Sequence, residues 1–498
     1  VRIVRDTSFF LRWVSLFFVA AAIVLTMVGL TTYSRERGSY PVGMTIAGVP
    51  VGGIDPQTAA QRLLQVYNMP VELQYAGASI QMDPAVAGFQ IDTESMLAAA
   101  DLQRTGGSFW GGFWDFLWNR QPNTTNVPLI STLSEDRLRI YLREEIASRY
   151  DQPAIAAAPL PGQVNFAPGS PGQELNIDRA VQVIEDALRS PTNRMVALSS
   201  QRTNPGRPPL KNLEILIKQI IDLTPFDGLV GVYLQDLQTG DEMHFGYNQN
   251  RDIPVDPDIA FTASSTIKIP ILVAVYNKLG PNLDQATQDQ IQEMITKSEN
   301  PASDALMSRL DNVRGPLLVT EDLKTLGLNN TFIGGFFCNP VNPCPLLQKF
   351  DTPANLRTDV SADPDVYNQV TPSDIGTLLA DLYQCAEDGG GGLVAAFPSK
   401  MNKTVCQQII DYLKRDKIGV LIEAGLPEGT QIAHKHGWIS NSSGVIQNIS
   451  DAAIVYTPGG DYVLTVYVYH PTQAVWEPVS NMVAQISEAV YNYYNQVK

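Results

Sequence analysis

Residues 261–279 read FTASSTIKIPILVAVYNKL, an apolar helix opened by Ser265-Thr266-Ile267-Lys268. Positions i and i+3 share a helix face, so the Lys268 amine can reach the Ser265 hydroxyl. The helix N-terminus adds a positive field that favours a developing alkoxide or oxyanion. A serine beside a lysine whose pKa is depressed by burial and cations is an activated acyl acceptor. Alone, this spacing also describes an N-cap serine followed by a surface lysine. Ser264 is a rival nucleophile, but it stands four residues from Lys268 instead of three.

Two further elements follow in order. MITKSENPASDALM (294–307) places Ser298-Glu299-Asn300 between two helical stretches, and TQIAHKHGWISN (430–441) places Lys435-His436-Gly437 on a strand. The series matches the S-x-x-K, S-D-N and K-T-G set of penicillin-recognising serine enzymes. Upstream, GLVGVYLQDLQTGDEMHFGYN (228–248) alternates as a β-hairpin about a Thr-Gly turn. CQQIIDYLKRDKIGVLIEAGLPEGTQIAHKHGW (406–438), SDAAIVYTPGGDYVLTVYVY (450–469) and a final helix complete the pattern.

On these motifs residues 212–498 closely resemble class A β-lactamase-related serine hydrolases. The resemblance implies an α+β domain, an antiparallel sheet flanked by helices, without a cofactor. Carried over position by position, it makes Ser265 the acylated nucleophile and Lys268 its general base. Ser298 relays a proton to the leaving nitrogen, and Asn300 binds the substrate amide. Lys435 steers the substrate carboxylate and polarises Ser298. His436, Gly437 and Trp438 line the substrate, with the Ser265 and Trp438 amides as oxyanion hole.

Departures accompany the matches. Glu299 stands for the motif aspartate, and His436 for the hydroxyl residue of K-T-G. Ser265 and Ser298 are only 33 residues apart, shorter than in the β-lactamases, so a wall of the cleft is expected to be missing. The β-lactamases hold a deacylating glutamate in an E-x-x-L-N pattern, whereas FDTPANLRTDVSADPDVYNQVTP (350–372) contains none. Asn355 is expected in that loop; Asp351, Asp359, Asp363 or Asp365 can in principle substitute for the glutamate, although turn and cap positions are the expected use of most of them. His434 and His436, two apart on one strand, have a metal-compatible spacing, but no third ligand is in view and no metal is expected.

The rest of the chain sets the context. Its 498 residues call for two to four domains, and 44% hydrophobic with 17% charged residues excludes wholesale disorder. Thirty-five basic against 51 acidic residues give a net charge of −16 without a basic run, which argues against nucleic acid as a partner. WVSLFFVAAAIVLTMVGLTTY (13–33) carries no charge and is long enough to cross a bilayer. Arg2, Arg5 and Arg12 precede it, so the positive-inside rule sets residues 1–34 as a cytoplasmic stub and membrane anchor with the remainder extracellular. A cleaved signal peptide is the competing reading, though no small-x-small site follows the run.

Export fits the cysteines. Cys338 and Cys344 bracket a Pro-rich loop, while Cys385 and Cys406 lie on two predicted helices around an EDGGGG connector. Both pairs read as local disulfides; four free buried thiols are the alternative.

Between anchor and hydrolase domain, residues 41–205 form a smaller α+β module ending at the proline-rich boundary NPGRPPL (204–210). In GVPVGGIDPQTAAQRLLQ (48–65), Asp55 is the predicted N-cap, Pro56 the first helical residue, and Ala60, Leu63, Leu64 and Tyr67 one face. Helices from Ser134 and after GQELNID repeat the strand–turn–helix pattern. Through GVPVGG the module resembles peptidoglycan-binding domains of bacterial envelope proteins, which implies contact with cell wall. Within it, Trp110, Trp114 and Trp118 recur every four residues among Phe109, Phe113 and Phe116. Core packing is the expected use of such a ridge, with a membrane-interface belt or a sugar platform as alternatives.

Overall fold

A computed structural model of the chain describes residues 3–120, 126–338, 343–344 and 346–496. Arg2 and the centre of the loop between Cys338 and Cys344 lie outside them. The chain forms two compact units, one of residues 1–155 and 171–204, the other of 156–170 and 205–498.

The first unit opens with the helix Ile3–Glu36. Its part Phe9–Glu36 is long and apolar enough to cross a membrane, with a mean hydropathy of 2.4. Asp55 caps the helix Pro56–Tyr67 by accepting from the Gln57 and Thr58 amides, and Pro56 is its first residue. The buried face of that helix is Ala59, Leu63 and Tyr67, one step round from the expected one, and Leu64 is 42% exposed. Ser134 and Asn176 cap the helices Glu135–Tyr141 and Ile177–Arg189 in the same way. Small sheets complete a core that includes Leu63, Leu73, Leu138 and Ile184.

The aromatic ridge departs from the expectation of core packing. In the helix Phe109–Leu117 only Phe113 is buried. Trp110, Trp114 and Trp118 are 62%, 57% and 69% exposed. Phe109 and Phe113, each one position before a tryptophan, and Phe116 take the contact with Tyr33 instead.

In the second unit a six-stranded antiparallel sheet forms the centre. From one edge its strands are Arg251–Ile253, Glu242–Asn248, Leu229–Asp236, Tyr462–Tyr469, Ile446–Tyr456 and Gln431–Ser440. The predicted hairpin closes through Gly240 at φ 78°, with Asp236 accepting from the Gln238 and Thr239 amides. Tyr462–Tyr469 is buried along its whole length, as a central strand covered on both faces must be. One face packs on the helices Leu210–Leu223 and Trp476–Tyr494. The other packs on a helical layer built around Lys268–Leu279, Pro372–Asp388 and Lys403–Leu413. Residues 156–170 group with this unit because Val164 and Phe166 pack against its first core face.

Both cysteine pairs are bridged, Cys338 to Cys344 and Cys385 to Cys406. The glycine run beside the second bridge has set roles instead of being a mere connector. Gly389, at φ 73°, ends one helix in the left-handed region, and Gly392 begins a short one. Closing the 21-residue separation between Cys385 and Cys406 removes chain entropy from the unfolded state. The double variant Cys385→Ala/Cys406→Ala is therefore expected to lose about 3 kcal/mol of unfolding free energy in urea titration. An unchanged midpoint at equal slope would contradict this.

Candidate active site

The S-x-x-K segment begins as a tight turn, Ser264–Ile267, that runs into the helix Lys268–Leu279. Ser264 enters at φ 50°, a left-handed backbone for a residue with a side chain. Its hydroxyl is buried without a partner among the described residues. Ser265, next along, is half-buried.

Lys268 is fully buried, and its Nζ lies at the centre of the cluster. It is 3.0 Å from Ser265 Oγ, 3.1 Å from Ser298 Oγ, 2.6 Å from the Ser298 carbonyl oxygen and 3.0 Å from Asn300 Oδ1. Ser298 sits at φ 57° in the turn between the helices Gln285–Thr296 and Asn300–Leu310, and Asn300 opens the second. Burial, then repulsion from Lys435, brings the Lys268 ammonium down to about 7, against partial support from Glu299, Asp416 and Asp304. A neutral amine has two N–H bonds and one lone pair. The Ser298 carbonyl and Asn300 Oδ1 can take both N–H bonds, leaving the lone pair for a serine hydroxyl proton.

Lys435, His436, Gly437 and Trp438 lie on the edge strand Gln431–Ser440. Gly437 runs directly against the turn: a Cβ there would stand 2.6 Å from the Ser265 amide nitrogen and 2.9 Å from Ser264 Cβ. Both neighbours belong to the turn itself, so Gly437→Ala must push strand and turn apart. A displacement near 1 Å is worth about 100-fold in rate. Covalent labelling of Gly437→Ala by a penicillin is expected to slow by about that factor, with circular dichroism unchanged.

Behind the strand lies a buried charge cluster that sequence reasoning missed. Lys435 Nζ donates to Asp416 Oδ2 at 3.2 Å, and His436 Nδ1 meets the same oxygen at 2.8 Å. Burial raises the Asp416 carboxyl, but His436 and Lys435 outweigh it and hold it low. Burial also depresses Lys435, and Asp416 offsets part of that. His434 pairs through Nδ1 with Asp451 Oδ1 at 3.0 Å and through Nε2 with the Asp416 carbonyl at 2.9 Å. Burial opposes its charged form, yet Asp451 prevails and lifts it above the usual histidine range. The two histidines thus serve two carboxylates. The His436 ring stacks on Trp438, with centroids 5.0 Å apart.

Asp304, on the helix after the S-E-N turn, is a second such residue. Its carboxylate accepts from the Phe337 and Cys338 amides at 2.8 and 2.9 Å, tying the bridged loop to the site. Phe337 presents its ring 5.4 Å from Lys268 Nζ.

In the glutamate-free loop, Asn355 braces the backbone and does not reach Ser265: its Nδ2 donates to the Phe350 carbonyl and Gln369 Oε1, both at 2.9 Å. Asp359 is bound to Arg357 at 2.6 Å, and that hydrogen bond lowers its carboxyl to about 2. Asp365 accepts from the Tyr367 amide. Asn368, in contrast, reaches the site from the loop's end. Its Nδ2 donates to the Ser264 carbonyl at 3.3 Å, and its Oδ1 is buried without a protein partner.

The model of the "Beta-lactamase enzyme family" matches residues 212–284 and 278–494, together more than half of the chain. The β-lactamase VEB-1 of Pseudomonas aeruginosa is 19% identical over 271 residues, covering 50% of this chain and 83% of its own. Among solved structures, PBP-A is 24% identical over 59% of this chain and 99% of its own, with a TM-score of 0.41. An ancestral class A β-lactamase is 20% identical over 56% and 98%, with a TM-score of 0.40.

Proposed function

We propose that this chain, which belongs to the beta-lactamase enzyme family, forms an acyl-enzyme at Ser265 with β-lactams or D-Ala-containing wall peptides. One observation carries the reading: a buried Lys268 amine, brought near neutrality, within 3.0 Å of Ser265 Oγ and 3.1 Å of Ser298 Oγ. Ser265 Oγ attacks the amide carbonyl carbon and its proton passes to Lys268 Nζ. The carbon–nitrogen bond then breaks, and the leaving nitrogen takes a proton from Ser298 Oγ, which Lys268 restores. The Ser265 and Trp438 amides receive the oxyanion, and Lys435 attracts the substrate carboxylate. Water or an acceptor amine finally attacks the acyl carbon, the bond from that carbon to Ser265 Oγ breaks, and the attacker's proton passes to Oγ.

No glutamate stands in residues 350–372, and Asp359 and Asp365 are held by their own loop. Slow deacylation of the penicillin-binding type is therefore the expected behaviour. In the cell, the apolar helix anchors the chain with its N-terminus cytoplasmic and the residues after it outside. The first unit then contacts peptidoglycan.

Incubation of the full chain with a fluorescent penicillin, followed by intact mass over time, tests the reading. A one-to-one adduct that persists for hours supports it. An adduct that clears with turnover makes the protein a hydrolysing β-lactamase. If neither penicillin nor a D-Ala-D-Ala peptide reacts, the altered K-H-G motif favours a non-catalytic wall-binding scaffold instead.

A further inference from the structure

The first unit holds an aromatic surface that acyl chemistry leaves unused. The helix Phe109–Leu117 lies against the C-terminal end of the apolar helix. Tyr33 meets Phe109, Phe113 and Phe116 at centroid distances of 5.3, 5.7 and 5.5 Å. Gly112 keeps the approach close, since a Cβ there would overlap the Tyr33 hydroxyl, and Leu117 and Phe113 come within van der Waals reach of Gly29. The Arg37 guanidinium, just past the apolar run, sits 5.2 Å over the Phe109 ring. The remaining face exposes Trp110, Trp114 and Trp118. Three exposed indoles in one row form a patch that a surface facing only water does not retain without use.

Depth decides what covers them. The uncharged run ends at Tyr33, and Arg35, Glu36 and Arg37 follow, so the hydrocarbon boundary falls near the last apolar turn. Contacts at Gly29 and Tyr33 span four residues, about 6 Å along the helix. They set the short helix at that boundary, where a headgroup layer roughly 5–8 Å thick begins. Trp favours this layer because its ring is apolar and its N–H needs an acceptor.

We propose that Trp110, Trp114 and Trp118 seat in the headgroup region of the bilayer crossed by the apolar helix; this rests on the anchoring reading above. The helix 109–117 is then an interfacial brace on the first unit, and its partner is lipid, continuous with the lipid around the anchor.

The test is quenching in vesicles of phosphatidylcholine brominated on the upper acyl chain. The full chain is compared with a Trp110→Phe/Trp114→Phe/Trp118→Phe variant, and the difference gives the emission of the ridge. The variant keeps Trp13, Trp438 and Trp476; of these only Trp13 lies in the apolar run, so the lipid-quenched share of the variant's emission reports its insertion. The ridge emission is expected to fall by about half or more. Quenching by aqueous iodide alone, with Trp13 quenched by lipid, overturns the proposal while anchoring stands. Protection from both quenchers means a protein surface covers the ridge, a second copy included, and also overturns it. An unquenched Trp13 defeats the anchoring reading itself, and the proposal falls with it.

Discussion

Ser265→Ala is expected to abolish covalent labelling by a fluorescent penicillin, while Ser264→Ala keeps a stoichiometric adduct. The two hydroxyls are adjacent in sequence but not in chemistry. Ser265 Oγ is 3.0 Å from Lys268 Nζ. Ser264 Oγ is buried without a partner among the described residues, in the turn against Gly437. If Ser265 is the nucleophile, as proposed, its removal leaves no covalent route, so the expected loss is complete and not graded. Intact-mass analysis reads the outcome directly. Persistence of the adduct in Ser265→Ala, with its loss in Ser264→Ala, would transfer the role to Ser264.

The second large effect concerns pH. In the proposed mechanism acylation needs neutral Lys268, and burial with repulsion from Lys435 brings this group to about 7. The neutral fraction grows as pH rises through that value. The labelling rate should therefore climb nearly tenfold per pH unit on the acid side and level off above. Lys268→Arg keeps a charge at every pH, so its rate is expected to be about 100- to 10,000-fold lower and flat. His436→Asn, run in parallel, separates the imidazole from the amine: the limb persists if it belongs to Lys268. A rate that falls with rising pH near 7 would remove Lys268 from the role of base.

The parts of the molecule visible in the sequence are those set by short-range geometry. Three-residue spacing brings Lys268 to Ser265, and Asp55 and Ser134 announce their helices by capping chemistry. Asp416 and Asp451 gave no such signal. One sits in a KRDK turn and the other inside an apolar strand, and only sheet pairing carries Asp451 opposite His436. Asp304 likewise reads as a helix surface residue until the bridged loop folds onto it. The tryptophan ridge failed for a different reason: periodicity marks an apolar face without saying what lies opposite. There the phenylalanines took the protein contact.

The left-handed backbone at Ser298 bears on the choice between enzyme and scaffold. A residue with a Cβ in that region costs about 1–3 kcal/mol, and glycine would adopt it freely. For a protein that only needs to hold its shape, serine at this turn is a local frustration with nothing gained. Its hydroxyl, turned onto Lys268 Nζ, is the one thing glycine cannot supply. The strain is thus a physical record of what the turn is selected to present, and it weighs toward chemistry over architecture.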